Sequence, residues 1–119
     1  MRDHSELTLR KQSDFSRVYK QGKSKGGKFS VILYRRNGLK YTRTAFVASK
    51  KVGNSVERNR SRRLMRAAYK AVENRVKSGY DIIFVARAAM IGCKEPEVER
   101  QLKKSLESAG ILTGNSNEK

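Results

Sequence analysis

A short first helix is predicted where apolar residues recur at spacings of three and four positions. Phe15, Val18 and Tyr19 share one face of this helix. The polar pair at positions 13–14 is its expected N-terminal cap, and Gly22 is its expected stop. Residues 22–28 contain three glycines and three lysines, so they are predicted to form a flexible basic loop.

Three strands are predicted from runs of β-branched and aromatic residues. The first covers residues 29–34 and the second residues 42–49, with Asn37 and Gly38 as turn residues between them. This pattern favours a hairpin of the two strands with a slightly long connection. The third strand, residues 80–86, is expected to be buried on both faces in its middle, because its apolar residues form a continuous run.

Two further helices complete the pattern. A long helix is predicted over residues 56–77, because Asn54 and Glu57 have the spacing of a capping box and Gly79 can end the helix. The last helix follows a connector of small residues, begins at Pro96 and ends at Gly110. Its predicted apolar face consists of Val98, Leu102, Leu106 and Ala109.

The order of elements, α-β-β-α-β-α, predicts an α+β fold in which helices cover a sheet of three or four strands as a two-layer sandwich. The 119 residues fit a single domain, residues 1–119, in which residues 113–119 have the composition of a disordered tail. If the strands on either side of the long helix are parallel, they form a crossover unit. Such units are right-handed in about 98% of cases.

The net charge indicates that this domain carries a binding surface. The chain has 28 Lys and Arg against 11 Asp and Glu, which gives a formal net charge of +17. Of this charge, +16 lies in the first 70 residues, because the last 49 carry eight basic and seven acidic side chains. Solubility needs far less charge, and membrane-surface helices need bulky apolar anchors, whereas the basic helix here has mostly small apolar residues. The distribution therefore predicts a nucleic-acid partner and no membrane partner.

The long helix has separate packing and basic sides when its residues are placed 100° apart. The arc predicted to face the sheet consists of Leu64, Met65, Ala68, Ala71 and Val72. The opposite side carries what we call the basic stripe, which consists of Arg58, Arg62, Arg66 and Lys70. The stripe is flanked by Asn59 and Arg63, Arg60 lies nearer the apolar arc, and the preceding strand end adds Lys50 and Lys51.

The basic stripe has the chemistry of a phosphate-binding surface. Arginine makes bidentate contacts with phosphate and stacks on bases, and the helix N-terminus adds free N–H groups near Arg58. Like charges at this spacing destabilise an isolated helix by roughly 0.3 kcal/mol per pair, which favours a functional reason for them. A solvated charged face is the alternative, but such a face contains interleaved acids, and only Glu57 and Glu73 occur here.

Three motifs along the chain have recognisable spacing. Asp14-Phe15-x-x-Val18-Tyr19-x-x-Gly22 lies near the start, and Asp81-Ile82-Ile83 lies in the third predicted strand. Between them stands Lys50-Lys51-x-Gly53, followed by Val56-x-Arg58-Asn59-Arg60-x-Arg62-Arg63-x-x-Arg66. In this order the motifs closely resemble the bacterial ribonuclease P protein subunit over nearly the whole chain. The family often has lysine at the position of Arg62 and alanine at that of Ser55, which are mild departures.

The resemblance implies the protein subunit of a ribozyme endonuclease that removes the 5′ leader of precursor tRNA. The RNA would be the catalyst and would hold the required Mg²⁺, so no cofactor is expected on the protein, and one protein per ribonuclease P RNA is expected. The implied fold is ribosomal protein S5 domain 2-like with a left-handed crossover, contrary to the general preference. The residues implied to contact the catalytic RNA are Lys50, Lys51, Arg58, Asn59, Arg60, Arg62, Arg63 and Arg66.

A cleft between the first helix and the sheet is the site that the resemblance implies for the single-stranded leader. Phe15 and Tyr19 would form its aromatic wall, and aromatic rings hold single strands by stacking on bases without sequence demands. The alternative is that both are core aromatics that pack the helix on the sheet. A strand aromatic is also expected at the cleft, but alternation puts Phe29 and Tyr34 on opposite faces, so both can line it only if a bulge intervenes.

Other functions fit the sequence less well. A ribosomal or other structural RNA-binding protein explains the charge but not the motif from Lys50 to Arg66. A self-sufficient nuclease needs clustered carboxylates or a histidine pair, whereas residues 29–70 contain a single acid, Glu57, and His4 is the sole histidine. The single cysteine, Cys93, suits a reducing compartment, so a cytoplasmic protein is expected. Anions such as sulfate or phosphate are expected to bind and stabilise it.

Overall fold

The computed structural model describes residues 8–113, which form a four-stranded mixed sheet with helices on both faces. The helices are α1 (Gln12–Gln21), α2 (Ser55–Val72) and α3 (Glu95–Ser108). The strands are β1 (Lys23–Gly26), β2 (Ser30–Arg36), β3 (Arg43–Val47) and β4 (Tyr80–Ala86). Single 3₁₀ turns occupy Lys50–Val52, Glu73–Arg75 and Ala88–Met90. The predicted α+β class is confirmed, with one strand more than the predicted order contains.

The additional strand is β1, which lies within the segment predicted to be a flexible loop. It pairs antiparallel with β2, from Lys23 opposite Tyr34 to Gly26 opposite Val31. All four of its residues are exposed, so neither burial nor alternation marks it in the sequence. The lysines that suggested a loop are also typical of a short strand at the edge of a sheet.

The predicted hairpin of β2 and β3 is wrong, because β4 lies between them in the sheet order β1-β2-β4-β3. β2 pairs with β4 antiparallel, and β3 pairs with β4 parallel. β4 takes the centre because residues 81–84 are all buried, as expected of a strand that is covered on both faces. β3, α2 and β4 thus form the anticipated crossover unit with parallel strands. Its left-handed sense stays a prediction.

Two apolar clusters lie on the two faces of the sheet. On one face α2 and α3 pack against Ile32, Ile82 and Phe84. On the other face α1 packs through Val18 against Ile83. Consecutive residues of β4 alternate between the clusters because side chains of a strand point to opposite faces. The predicted two-layer arrangement therefore describes the sheet with α2 and α3, while α1 lies on the opposite face.

Helix α2 begins as predicted and ends earlier than predicted. The side chains of Asn54 and Glu57 each accept a hydrogen bond of 2.9 Å from the other residue's N–H, which confirms the capping box. The α-helix stops at Val72, because Val76 has extended backbone and forms a bridge with Leu112. Gly79, the predicted stop, lies in the turn before β4 with a φ of 91°, a conformation that favours glycine.

The buried side of α2 differs from the predicted arc at two positions. Met65, Ala68 and Val72 are buried as expected, and Leu64 is partly buried. Ala71 is exposed instead, so the buried arc of α2 is narrower than predicted. Ser61 is buried on the packing side although it is polar.

Helix α1 starts without the predicted cap. Lys11 is at the N-cap position and makes no side-chain hydrogen bond there, while Asp14 lies inside the helix and is buried. Gly22 ends the helix in extended backbone, with a φ of −82°. Glycine is required because a Cβ would lie 2.5 Å from the Val18 carbonyl oxygen and 2.7 Å from that of Tyr34.

Helix α3 matches its prediction closely. Pro96 lies in its first turn, and Val98, Leu102 and Leu106 are fully buried. Ala109 follows the last helical residue and packs on the same cluster.

The chain ends lie partly outside the described residues. Of the predicted tail, only Thr113 is described, and its N–H donates to the Arg75 carbonyl at 2.6 Å. Residues 114–119 and His4 lie outside the described part of the chain. Among the described helices, none combines the length and the apolar character that a bilayer crossing requires.

Candidate nucleic-acid interface

The arginine-rich side of α2 is turned away from the sheet by the packing of the opposite side. Met65, Ala68 and Val72 are buried against the core, which fixes the rotation of the helix about its axis. Of the predicted RNA-contacting residues, Lys50, Lys51, Asn59, Arg63 and Arg66 are exposed, whereas Arg58, Arg60 and Arg62 are half-buried. Lys50 and Lys51 thus lie in the turn just before α2, and the other six residues lie within its first twelve positions.

Three of these arginines use part of their hydrogen-bonding capacity within the protein. Arg58 Nη1 donates to the Gly53 carbonyl at 2.8 Å, and Arg60 Nη2 donates to the Cys93 carbonyl at 2.5 Å. The Arg62 guanidinium donates to the side-chain oxygen of Asn59. Because a guanidinium has five N–H donors, each arginine keeps donors for a phosphate. The internal contacts also restrict side-chain freedom before binding, which lowers the entropy lost on binding.

The cations of this surface have no acidic partners within residues 8–113. Every ion pair found there involves Asp14 or Asp81, which lie on other elements. Glu57 is the one acid within residues 50–66, and its side chain accepts the hydrogen bond from the Asn54 N–H in the capping box. The surface therefore carries a large excess of positive charge, as expected for a polyanion-binding site.

A groove of about 520 Å³ runs along the outer edge of β3. Its lining includes Phe15 of α1, Phe46 of β3, and Arg66, Tyr69 and Lys70 of α2. The groove thus joins part of each site that the sequence suggests separately. Phe15 belongs to the predicted aromatic cleft, and Arg66 and Lys70 are the last two members of the basic stripe. Tyr19, the other predicted aromatic of the cleft, does not line this groove.

The α2 side of this groove is built on an aromatic cluster. Phe46 stacks on Phe84 with a centroid distance of 5.1 Å, and Tyr69 packs against these two rings at 6.0 and 5.3 Å. The Arg66 guanidinium lies 5.4 Å from the centroid of the Phe46 ring, which is cation–π geometry. Burial, and to a smaller extent the charge of Glu73, raises the pKa of the Tyr69 hydroxyl.

The two predicted cleft aromatics differ in environment. Phe15 is half-buried, packs against the cluster that contains Ile83, and also lines the groove. Tyr19 is 53% exposed. The core alternative is therefore wrong for Tyr19 and describes part of the role of Phe15.

The strand aromatics lie on the other face of the sheet. Phe29 and Tyr34 both pack in the cluster beneath α2 and α3. Their predicted placement on opposite faces is wrong, because β2 begins at Ser30 and Phe29, before the strand, is not subject to its alternation. On the α1 side, β2 contributes Leu33 to the cluster instead.

A buried ion-pair network ties α1 to the sheet next to the groove. Arg43 donates from Nε and Nη2 to the two carboxylate oxygens of Asp81, at 2.8 Å each. Its Nη1 donates to Asp14 at 3.2 Å, and Arg17 donates to the same carboxylate at 3.0 Å. The hydrogen bonds to Asp81 raise the pKa of Arg43, and the charges of both acids add to this effect. Asp14 immediately precedes Phe15, so the network positions the aromatic wall of the groove.

The sequence pattern does not indicate that several other residues belong to this region. The Leu9 N–H donates to the Thr44 carbonyl at 2.9 Å, which places the start of the described chain along β3 and in the groove. Phe46 and Tyr69 carry no signal beyond their place in predicted elements. Asp81 is the one residue whose sequence position indicates the ion-pair network, since it is a charged residue in an apolar strand.

Cys93 is a free, buried cysteine. Burial raises its pKa, and Sγ donates to the Ala89 carbonyl at 3.1 Å.

A family model, related sequences and solved structures all match this chain to the same family of proteins. Residues 4–110 match the family model described as Ribonuclease P. The ribonuclease P protein component of Alkaliphilus oremlandii is 40% identical over 104 residues, covering 87% of this chain and 91% of that protein. The corresponding protein of Clostridioides difficile is 38% identical with the same coverage.

Solved structures of such proteins are similar in fold. A Staphylococcus aureus RNase P protein, a mutant with defective mRNA degradation activity, has a TM-score of 0.83 and 28% identity, covering 91% of this chain and 92% of that one. The RNase P protein from Thermotoga maritima has a TM-score of 0.77 and 28% identity, with coverages of 85% and 96%. Because the family model spans most of the sequence and close relatives align over most of their own length, the chain belongs to the ribonuclease P protein family.

Proposed function

We propose that this chain is the protein subunit of ribonuclease P, acting in the cytoplasm with one protein per catalytic RNA. It binds the catalytic RNA through the face of α2 that carries Lys50, Lys51, Arg58, Asn59, Arg60, Arg62, Arg63 and Arg66. It holds the 5′ leader of precursor tRNA in the cleft beside α1, with Phe15 and Tyr19 as aromatic contacts. In this way it supports endonucleolytic removal of the leader.

The observation that carries this proposal is the shared groove along β3. A single-stranded leader needs rings for base stacking and cations for its backbone, and Phe15, Arg66 and Lys70 offer both in one space. The remaining arginines of α2 continue from this groove toward the helix N-terminus. A leader in the groove would therefore lie beside the RNA that occupies the rest of the helix face.

Hydrolysis is assigned to the RNA and the Mg²⁺ that it requires, and the protein is proposed to bind no cofactor. Within residues 8–113, no three His, Cys, Asp or Glu side chains are grouped as metal ligands would be. The buried acids Asp14 and Asp81 are already engaged by Arg43. The contribution of the protein is electrostatic, because its cations reduce the repulsion between leader and catalytic RNA. Less Mg²⁺ should then be needed for the same cleavage rate.

Reconstitution tests this function. The purified chain is added to a ribonuclease P RNA transcribed in vitro, with precursor tRNA as substrate at low Mg²⁺. We expect faster cleavage and tighter binding of precursor tRNA than of mature tRNA, which lacks the leader.

Two outcomes would contradict the proposal. No gain in either cleavage or leader affinity would exclude the subunit role. Tight binding of the RNA with no gain in cleavage at any Mg²⁺ concentration would favour a structural RNA-binding protein instead.

A further inference from the structure

A second groove, of about 510 Å³, lies at the edge of the sheet opposite to β3. It is formed between the turn that joins β1 to β2 and the outer side of α3. Four cations line it: Lys25, Lys28, Arg100 and Lys104. These residues come from two segments about 75 positions apart in the chain, so the groove could not be predicted from the sequence alone.

The floor of this groove is fixed by a hydrogen-bonded glutamine. Gln101 Oε1 accepts from the Ser30 hydroxyl at 3.0 Å and from the Phe29 N–H at 3.3 Å, and its Nε2 donates to the Ser105 hydroxyl at 2.8 Å. A Cβ at Gly27 would overlap the Gln101 amide, so the turn lies directly on α3. The cations therefore surround a preformed site rather than a loose loop.

The groove carries a net positive charge, because four cations line it and only one acid does. None of the four cations forms an ion pair within residues 8–113. The one acid in the lining, Glu97, accepts a hydrogen bond from the Lys94 N–H at the start of α3. Edge strands often carry lysines to prevent association. That explanation covers Lys25 but not the cations of α3 on the other side of the groove.

The groove is adjacent to the basic end of α2. Arg60 of α2 donates to the carbonyl of Cys93, which lies just before α3, and Glu97 in the first turn of α3 lines the groove. Arg87 donates to the Gly27 carbonyl at 3.2 Å and adds a further exposed cation. A polyanion on the N-terminal end of α2 could thus continue into the groove.

The chemistry of the lining favours a nucleic-acid backbone over a membrane surface. Membrane-surface sites need bulky apolar side chains that project from the protein. The large exposed apolar residues of the described chain, Tyr19, Leu39, Val56 and Ile91, all lie outside the groove. Phe29 is its one aromatic residue, and it packs into the core.

We propose that the groove between the β1–β2 turn and α3 is a second phosphodiester-binding site, which holds an RNA backbone that continues from the N-terminal end of α2. The inference rests on the proposed function only in taking RNA as the polyanion. It adds a contact at the sheet edge opposite to the leader groove, so the protein would bind RNA at both edges of its sheet.

The test compares two double variants that each remove two lysines. Lys25→Ala with Lys104→Ala changes the groove, whereas Lys40→Ala with Lys77→Ala removes the same charge from exposed positions outside it. The dependence of affinity for ribonuclease P RNA on salt is measured for each. If each groove lysine contacts one phosphate, the slope of log affinity against log salt should fall by about 1.5 for the groove variant. It should stay near the wild-type value for the control variant.

An isosteric variant gives an independent measurement. Gln101→Glu keeps the shape of the floor and can keep its contacts, because the Ser105 hydroxyl can donate as well as accept. The added negative charge should weaken RNA binding several-fold at constant salt, with the melting temperature within a few degrees of wild type. Thermal unfolding of every variant checks that the fold is retained.

The outcomes separate this proposal from the proposed function. Equal slopes for the groove and control variants, together with unchanged affinity for Gln101→Glu, would overturn the second site and leave the function intact. Failure of the unmodified chain to prefer ribonuclease P RNA over an unrelated RNA of equal length would count against the function. A reduced slope in the groove variant with either RNA would support a backbone contact.

Discussion

At the scale of single residues, two buried helix serines have contrasting environments. Ser61 of α2 is 1% exposed, and its hydroxyl has no hydrogen-bond partner among the residues that the structure describes. Ser105 of α3 is 7% exposed and accepts the 2.8 Å hydrogen bond from Gln101. A buried hydroxyl without a partner destabilises the folded state, because its hydration is lost and not replaced.

We expect Ser61→Ala to raise the free energy of unfolding by about 1 kcal/mol. The substitution removes the unsatisfied hydroxyl and improves helix propensity. Ser105→Ala is the matched control and should lower the free energy of unfolding by about 1 kcal/mol, since Gln101 loses an acceptor. Urea unfolding followed by circular dichroism measures both. Equal destabilisation by the two substitutions would show that Ser61 is hydrogen-bonded in solution.

Tyr19 allows a test of the leader contact with little effect on the fold, because its side chain is 53% exposed. Stacking of a base on an aromatic ring contributes about 1–3 kcal/mol. Tyr19→Leu should therefore weaken binding of precursor tRNA by at least about fivefold. Mature tRNA is the control ligand in the same binding assay, and its affinity should not change. Phe15 is less suitable, since its ring also packs in the core. Equal losses for both ligands would exclude Tyr19 as a leader contact.

At the scale of elements, the ion-pair network of Arg43 with Asp14 and Asp81 determines how α1 packs on the sheet. The side chains of Arg43, Asp14 and Asp81 are 18%, 10% and 4% exposed, and the two acids come from different elements. Removal of one member of a buried network leaves an uncompensated charge, which is far more destabilising than loss of a surface pair. The position of Phe15 in the groove thus depends on a contact remote in sequence.

Arg43→Met should lower the free energy of unfolding by about 3 kcal/mol or more, because two buried carboxylates lose their common partner. Arg17→Met is the matched control. Its side chain is 44% exposed and pairs only with Asp14, so the expected loss is below about 1 kcal/mol. Chemical unfolding at pH 7 compares the two variants. Similar small losses would mean that the network contributes little to the docking of α1.

The basic face of α2 should bind RNA mainly through phosphate contacts. Simultaneous substitution of Arg58, Arg60 and Arg62 by glutamine should reduce the slope of log affinity against log salt by about 2, if each arginine contacts one phosphate. Glutamine at Lys40, Lys77 and Lys103 removes the same charge elsewhere and serves as the control in the salt titration. A slope that changes equally in both variants would indicate a general effect of net charge.

At the scale of the whole molecule, the charge of +17 destabilises the compact state through self-repulsion. Anions that bind the basic surfaces should relieve this repulsion. Bound ligand stabilises the native state by an amount that grows with its concentration, reaching about 2.7 kcal/mol at a hundredfold excess over the dissociation constant. Stabilisation by an anion is therefore a property of the assembled surface rather than of any one residue.

Millimolar sulfate or phosphate should raise the melting temperature by several degrees and then saturate. Sodium chloride at equal ionic strength is the control, and the low concentration avoids the general stabilisation that concentrated sulfate produces. Differential scanning fluorimetry measures the shift, and the variant with glutamine at Arg58, Arg60 and Arg62 should lose most of it. An unchanged melting temperature across the titration would count against a preformed phosphate site.

The distribution of charge in the folded protein differs from its distribution along the sequence. Along the chain the last 49 residues are nearly neutral, and almost all of the net charge that predicted a binding surface lies in the first 70 residues. In the fold, Arg100 and Lys104 of this part lie across a groove from Lys25 and Lys28. The net charge of a stretch of sequence combines these cations with acids such as Glu107, because it does not distinguish which side of α3 each residue occupies.

The sequence by itself determined what depends on neighbours a few positions apart. The start of α2 follows from Asn54 and Glu57, the packing side of α3 from its apolar spacing, and the burial of the middle of β4 on both faces from its continuous apolar run. The arginine-rich motif of α2 was sufficient to indicate the family. These features could be predicted because helix periodicity, capping and side-chain charge are local properties.

Only the tertiary structure decided which segments meet. The exposed strand β1 forms because β2 offers it a partner, and β2 and β3 are separated because β4 is the strand with two apolar faces. The hydrogen bonds of Arg43 with Asp14 and Asp81, and the groove that Lys25 and Lys104 both line, bring together residues far apart in the chain. Such contacts depend on strand order and helix placement, which are set by packing of the whole chain. The basic helix could therefore be found from the sequence, whereas the grooves at the two sheet edges could not.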